Sequence, residues 1–390
     1  MQTVTVPNGI SSTKGHPSTR PSLLVPDRRL IQAGAKRGMK PTTLHLEEVR
    51  DMLVKQNAAQ APENVERSFE HLHMDFTGGR VTAKFISPRG LGEELLVHEN
   101  AYSQMAQGVL PGRGGSFLLE QARLSDAGEK LSTMSWAEFR KGNDKPRLFR
   151  TAQMRDADGT VRRMIRSQHS QGYATYDNVQ FVNDLLSNSP ELAQMSVIGF
   201  HVMDTGMRLR FVDADGDLPL RQPVPMVEAW NSEVGRRRVG LLGGMFRLVC
   251  TNGMGAWDKK SEFHWRHYGD ADRISGGVKS AIEEIRTSAS GVVDLYNKAL
   301  NVGIDDAFAW MMGELEAAGA TTAQRDRARV ALTDPTTTEG GLLASVVDAV
   351  TLAAQEESDL FAQAEVEQFG ARLLRRGLTA ARDGRILVEA

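Results

Sequence analysis

Cys250 lies in one stretch with His264 and His267, and a cysteine near histidines could serve as a thiolate nucleophile or in a zinc site. The nucleophile needs a base and an electropositive, partly open setting. Cys250 follows Phe246, Leu248 and Val249, a pattern that points it into a core. Zinc needs a second cysteine or finger-type ligand spacing, and neither is present. His71 and His73 alternate onto one strand face, which suits a metal pair, but no third ligand lies nearby in sequence. Asp213-Ala214-Asp215-Gly216-Asp217 opens like a calcium loop. Its glycine falls two places early, however, and the position that needs a glutamate is Val224. No phosphate-binding G-x-x-x-x-G-K-[ST] or nucleophile-elbow G-x-S-x-G motif occurs. We therefore expect no catalytic residue, no metal and no cofactor, and read the chain as non-enzymatic.

The cations offer a different chemistry. Between residues 138 and 170 nine basic side chains face four acidic ones, and between 231 and 280 nine face five. Arg162, Arg163 and Arg166 lie in the first run; Arg236, Arg237, Arg238, Lys259, Lys260 and Arg266 lie in the second. Tyr173, Tyr176, Trp257, Phe263, Trp265 and Tyr268 are interleaved with them. Basic grooves that track phosphates, lined with aromatic platforms for bases, hold single strands without reading their sequence. The competing expectation is a solvated arginine face that pairs with acidic helices of a neighbouring subunit.

The elements that must position these groups read as α+β: a central antiparallel twisted sheet with packed helices, followed by a C-terminal helical region. Residues 1–40 form a basic, Ser/Thr/Pro/Gly-rich arm without apolar period. Residues 41–276 form the core domain. A helix begins after Thr42 or Thr43, a hairpin turns at Thr77-Gly78-Gly79, and helices cover 99–107 and 116–125. A second hairpin turns at Asp156-Ala157-Asp158-Gly159, a helix covers 178–186, and a third hairpin turns near Asp204-Thr205-Gly206. In its second strand Met207, Leu209 and Phe211 alternate with Arg208 and Arg210, setting an apolar face against a basic one. Strands over 224–230 and 239–250 follow. Residues 277–390 read as helices broken at Gly319, Asp334-Pro335, Gly340-Gly341 and Gly370 or Gly377.

Asn231-Ser232-Glu233-Val234-Gly235, the run Phe246-Arg247-Leu248-Val249-Cys250-Thr251-Asn252-Gly253-Met254, and Arg266-His267 together resemble the signature of the phage/plasmid-like proteins of unknown function. Ser167 to Leu185, with Tyr173, Tyr176 and Asp177-Asn178 before a helix, resembles that family's step into its middle region. The resemblance covers about residues 90–300. It implies a mobile-element setting and DNA metabolism, with no catalytic residues to carry over. Asn231, Ser232, Arg247, Cys250, Thr251, Asn252, Gly253 and His267 then stand as motif or turn positions, Asn252-Gly253 being a turn that shapes a groove wall. Single-strand annealing proteins offer an analogy of fold and context.

Composition sets the remaining expectations. The formal net charge of −2 hides a basic N-terminus and an acidic tail, with fifteen acids against eight arginines over 303–390. The single cysteine fits a reducing compartment, no apolar run is long enough to span a bilayer, and a place in the bacterial cytoplasm follows. The expected partner is DNA, single-stranded or exposed. Self-association is also expected, the acidic helices of one subunit meeting the basic surface of another. The alternative is an anti-defence or interaction protein that binds a host protein through its acidic helical tail.

Overall fold

Alternating apolar residues need one covered face, and in this chain they find it twice. The computed structural model describes two short strands at 22–23 and 31–32 and then residues 44–385, apart from 79, 111, 157, 189–191, 194, 204, 213–221, 250–251, 335–336, 338–340 and 358–359. The basic arm expected over 1–40 therefore lies almost wholly outside the described residues.

Three two-residue strands, β1 (Ser22–Leu23), β2 (Ile31–Gln32) and β3 (Leu44–His45), precede α1 (Leu46–Gln60). Then come β4 (Glu63–Arg67), β5 (Leu72–Thr77), β6 (Arg80–Ser87), β7 (Gly90–Val97), α2 (Glu99–Val109), α3 (Gly114–Leu124), α4 (Asp126–Phe139), β8 (Arg147–Arg155) and β9 (Val161–Ser170). One sheet runs β1-β8-β9-β7-β6-β5, with β4 on β8, and β7 and β9 run parallel. Its apolar face carries Leu72, Met74 and Phe76 of β5 against Tyr102, Leu118 and Trp136 of the three helices. Phe69 meets Trp136 and Phe149 edge-on, with centroids 6.3 and 5.9 Å apart, the geometry aromatic quadrupoles prefer.

The chain continues with α5 (Asn178–Asn188), β10 (Ser196–Met203), β11 (Gly206–Val212), β12 (Pro223–Asn231), β13 (Val239–Val249) and β14 (Asn252–Trp265). It ends with α6 (Ala271–Ala299), α7 (Ala307–Ala317), α8 (Thr322–Leu332), α9 (Leu343–Ala354) and α10 (Leu360–Arg382). The second sheet runs β14-β13-β12-β11-β10-β2, with β3 on β10. Met207, Leu209 and Phe211 cover one face against α1, α5 and the first half of α6. The second half of α6 joins α7 to α10 in a further core around Val292, Tyr296 and Leu343.

The fold is α+β, as expected. The single central sheet is instead two: strands β4 to β9 build the first with β1, and after α5 strands β10 to β14 build the second with β2 and β3. The compact units are Ala59–Gln168 with β1, and residues 44–58 and 169 onward with β2. The boundary expected at 276 falls inside α6, a continuous 29-residue helix with apolar residues on one stripe throughout. Neither Gly370 nor Gly377 breaks α10. Each faces α9, where a Cβ would stand 2.8 Å from Thr351 Cγ2 or 2.4 Å from Leu343 Cδ1, so the glycines let two helices approach closely.

The basic face of β11 exists but is not solvated. Arg210 Nε lies 2.8 Å from Glu228 Oε2 of β12, and its Nη1 donates to Glu367 Oε1 of α10 at 2.9 Å. Arg208 also pairs with Glu228. Burial opposes the Arg210 charge, and the Glu367 and Glu228 carboxylates outweigh it, so its pKa is raised. The meeting of acidic tail and arginine sheet expected between subunits is made here within one chain.

Candidate nucleic-acid interface

The loop between β12 and β13 is held by its own polar side chains. Asn231 Nδ2 donates to Tyr176 O at 2.9 Å and to Asn178 Oδ1 at 3.0 Å, while its Oδ1 accepts from Ser232 N at 2.8 Å. Ser232 Oγ donates to Thr205 O at 2.6 Å and accepts from Arg236 N at 2.9 Å. Glu233 accepts from Asn178 N at 3.0 Å, the first residue of α5, where a carboxylate meets unsatisfied N–H groups. Gly235 has φ +69°, and a Cβ there would stand 2.7 Å from His169 Cε1. Only glycine fits both demands.

Beneath this loop lies an aromatic stack. The Tyr173 ring lies parallel to His169 at 3.7 Å between centroids and to His267 at 5.2 Å. Its hydroxyl donates to Glu233 O at 3.1 Å. His267 Nδ1 donates to Ala174 O at 3.3 Å. Val239 pairs with Trp265 across β13 and β14, so Arg238 and Arg266 flank a paired position at the same end of the hairpin. Arg273 Nη2, from the first turn of α6, donates to Tyr268 O at 3.1 Å and steadies the turn after β14. Arg236, Arg237, Arg238 and Arg266 are exposed, and the Tyr268 ring beside them is 65 % exposed. Four exposed arginines and an open tyrosine thus lie on the segments that adjoin the Val239–Trp265 pair at one end of the hairpin.

The other cations expected in the groove are engaged differently. Arg162 lies 2.9 Å from Asp156 Oδ2 and 2.7 Å from Asp158 Oδ2, and Arg163 lies 2.9 Å from Glu63 Oε2. Arg166 is buried. The sequence excess around them is therefore drawn down by neighbouring carboxylates, and none of the three is an open phosphate contact. Lys259 and Lys260 fall in β14 where its register with β13 shifts between Leu242 and Gly244; their side chains lie outside the described residues. Arg247 is a buried clamp on α9. It pairs with Asp348, its guanidinium lies 5.6 Å from the Tyr296 ring centroid, and Tyr296 OH donates to Asp348 Oδ1 at 2.7 Å. Cys250 and Thr251 lie outside the described residues. Asn252 and Gly253 are not a turn but the first residues of β14, paired with Val249 and Leu248.

Among the described residues no group of three His, Cys, Asp or Glu side chains is placed to hold a metal ion, and no helix is long and apolar enough to cross a membrane. Sequence reasoning named Tyr268 only as one aromatic among several and Gly235 only as the end of the Asn231–Gly235 run, and it missed His169. The available signal was Arg-His-Tyr-Gly between a strand end and a helix cap. Comparison with protein-family models, curated proteins and solved structures returns no match.

Proposed function

We propose that the chain is a non-enzymatic, DNA-associated protein of a phage or plasmid that holds single-stranded DNA at the open end of the β13–β14 hairpin. Arg236, Arg237, Arg238 and Arg266 take phosphates and Tyr268 takes a base. The observation that carries this reading is the exposure of four arginines and of Tyr268 on the two segments that adjoin the Val239–Trp265 pair. A base stacked on an aromatic ring contributes about 1–3 kcal/mol whatever its identity, so binding without sequence preference follows. The nominated arginines of β9 take no part, and no annealing step is assigned to the site.

The test is affinity for a fluorescent oligonucleotide across a salt series. Four phosphate contacts to a single strand give a slope of log affinity on log salt of about −2.8, a loss of roughly 50-fold between 50 and 200 mM salt. A flat response removes the proposal. The alternative of an acidic tail that binds a host protein has less surface to work with. Asp348 and Glu367 are buried against Arg247 and Arg210.

A further inference from the structure

The helical hairpin of α3 and α4 leaves large apolar side chains in solvent: Phe117 is 52 % exposed, Leu124 70 %, Leu131 50 % and Met134 72 %. At about 100° per residue, 117 and 124 share one stripe of α3, opposite buried Gly115, Leu118 and Ala122. Leu131 and Met134 share a stripe of α4, opposite buried Gly128, Ser132 and Trp136. Ser132 Oγ donates to Leu118 O at 2.7 Å and fixes the helices side by side. The two apolar stripes therefore make one outward face. Four such side chains leave on the order of 400–500 Å² of apolar surface open, the upper range for a monomer. Two faces together approach the roughly 1,000 Å² at which a specific interface begins.

We propose that this face joins two copies of the chain about a two-fold axis at Met134, with α4 antiparallel to its counterpart. The charge pattern selects this occupant. The exposed charges of α3 and α4, Glu120, Arg123, Asp126, Lys130 and Glu138, are of both signs with a slight acidic excess, which favours neither a polyanion nor an anionic lipid surface. Lys130 and Glu138 stand four residues to either side of Met134. An antiparallel register centred there sets each Lys130 opposite the second copy's Glu138. Self-complementarity of this kind is what a closed two-fold contact requires. Glu138 lies 2.6 Å from Lys141 Nζ, with 71 % of its side chain exposed, so its carboxylate stays open to a second cation.

Sedimentation equilibrium on the full chain at about 10–100 µM, a range that detects micromolar association, should give twice the 42.8 kDa chain mass. Met134→Lys should leave only monomer. Lys130→Glu should weaken the dimer at least about tenfold, a change of 1.4 kcal/mol. Lys130→Glu combined with Glu138→Lys should restore it. All three positions are exposed, so unchanged circular dichroism is expected as the folding control. A monomeric wild type overturns the proposal, whether or not the face then binds vesicles or another protein. So does a dimer indifferent to Met134→Lys, or a double swap that fails to recover association.

Discussion

Replacing Glu367 by Gln keeps the side chain's shape and removes its charge from a fully buried position, 0 % exposed. In the native chain its carboxylate receives Arg210 Nη1 at 2.9 Å and Gln363 Nε2 at 3.0 Å. The variant leaves Arg208 and Arg210 both paired with the Glu228 carboxylate. Removing one partner of a buried pair costs about 3–5 kcal/mol, because the other charge stays behind without compensation. In a unit of this size each kcal/mol moves Tm by about 2–4 °C, so the transition of the second sheet should fall by roughly 10 °C. Differential scanning calorimetry reads this directly. The double variant Arg210→Met/Glu367→Leu removes both charges and should recover to within about 1.5 kcal/mol of wild type, since apolar replacement of a whole buried pair is often neutral or stabilising. A drop below about 2 °C for the single variant, or a double variant less stable than the single, would refute the sealed-network account.

Two further outcomes follow from local geometry. Gly235→Ala places a Cβ against His169 and forces a left-handed backbone on alanine; it should cost about 1–3 kcal/mol and weaken oligonucleotide binding by displacing the loop, and unchanged melting and affinity would refute the scaffold role. Asp158 is held below its ordinary pKa first by the Thr160 backbone N–H, then by the Thr160 hydroxyl and by Arg162 and Arg80. A depressed folded-state pKa gives a contribution present above the ordinary carboxylate range and lost as pH falls through the folded value. Thr160→Val should therefore raise the Asp158 pKa part of the way back, read by carboxyl-carbon NMR; an unmoved titration would show the hydroxyl to be irrelevant.

Period and turn chemistry made most elements legible. Thr77 and Gly78 sit at a hairpin tip and Gly159 takes φ +84° in the β8–β9 turn, as Gly-bearing turns require. What stayed hidden involved partners far away in sequence. β4 and β7 carry mostly exposed residues, so their alternation is faint; they are strands because β8 and β6 supply hydrogen bonds. β14 reads as a polar, basic tail, yet pairs along β13 from Asn252 to Trp265. Charge counting failed for a similar reason. The excess around Arg162 ignores that its hairpin turn brings Asp156 and Asp158 back beside it, and that β4 carries Glu63 to Arg163. The run over 236–238 is exposed in the loop that follows Glu233, whose carboxylate engages the start of α5.

The motif residues of the β12–β13–β14 region lie at opposite ends of the hairpin. β13 spans Val239–Val249, about 30 Å at the usual strand rise. Asn231 and Ser232 therefore sit at one end of the hairpin, while Arg247, Asn252 and Gly253 sit toward the other. Each described polar side chain among them is turned to architecture: Asn231 to the carbonyl of Tyr176, Ser232 to the carbonyl of Thr205, Arg247 to Asp348. A side chain so engaged is a poor candidate for a ligand contact, since binding would first have to break a buried hydrogen bond or ion pair. Together these residues form a frame. It closes the β12–β13 loop, seats Tyr173 between two imidazoles and fixes α9 to the sheet. The proposed DNA contact then falls to the residues beside the frame, Arg236 to Arg238, Arg266 and Tyr268, which are exposed.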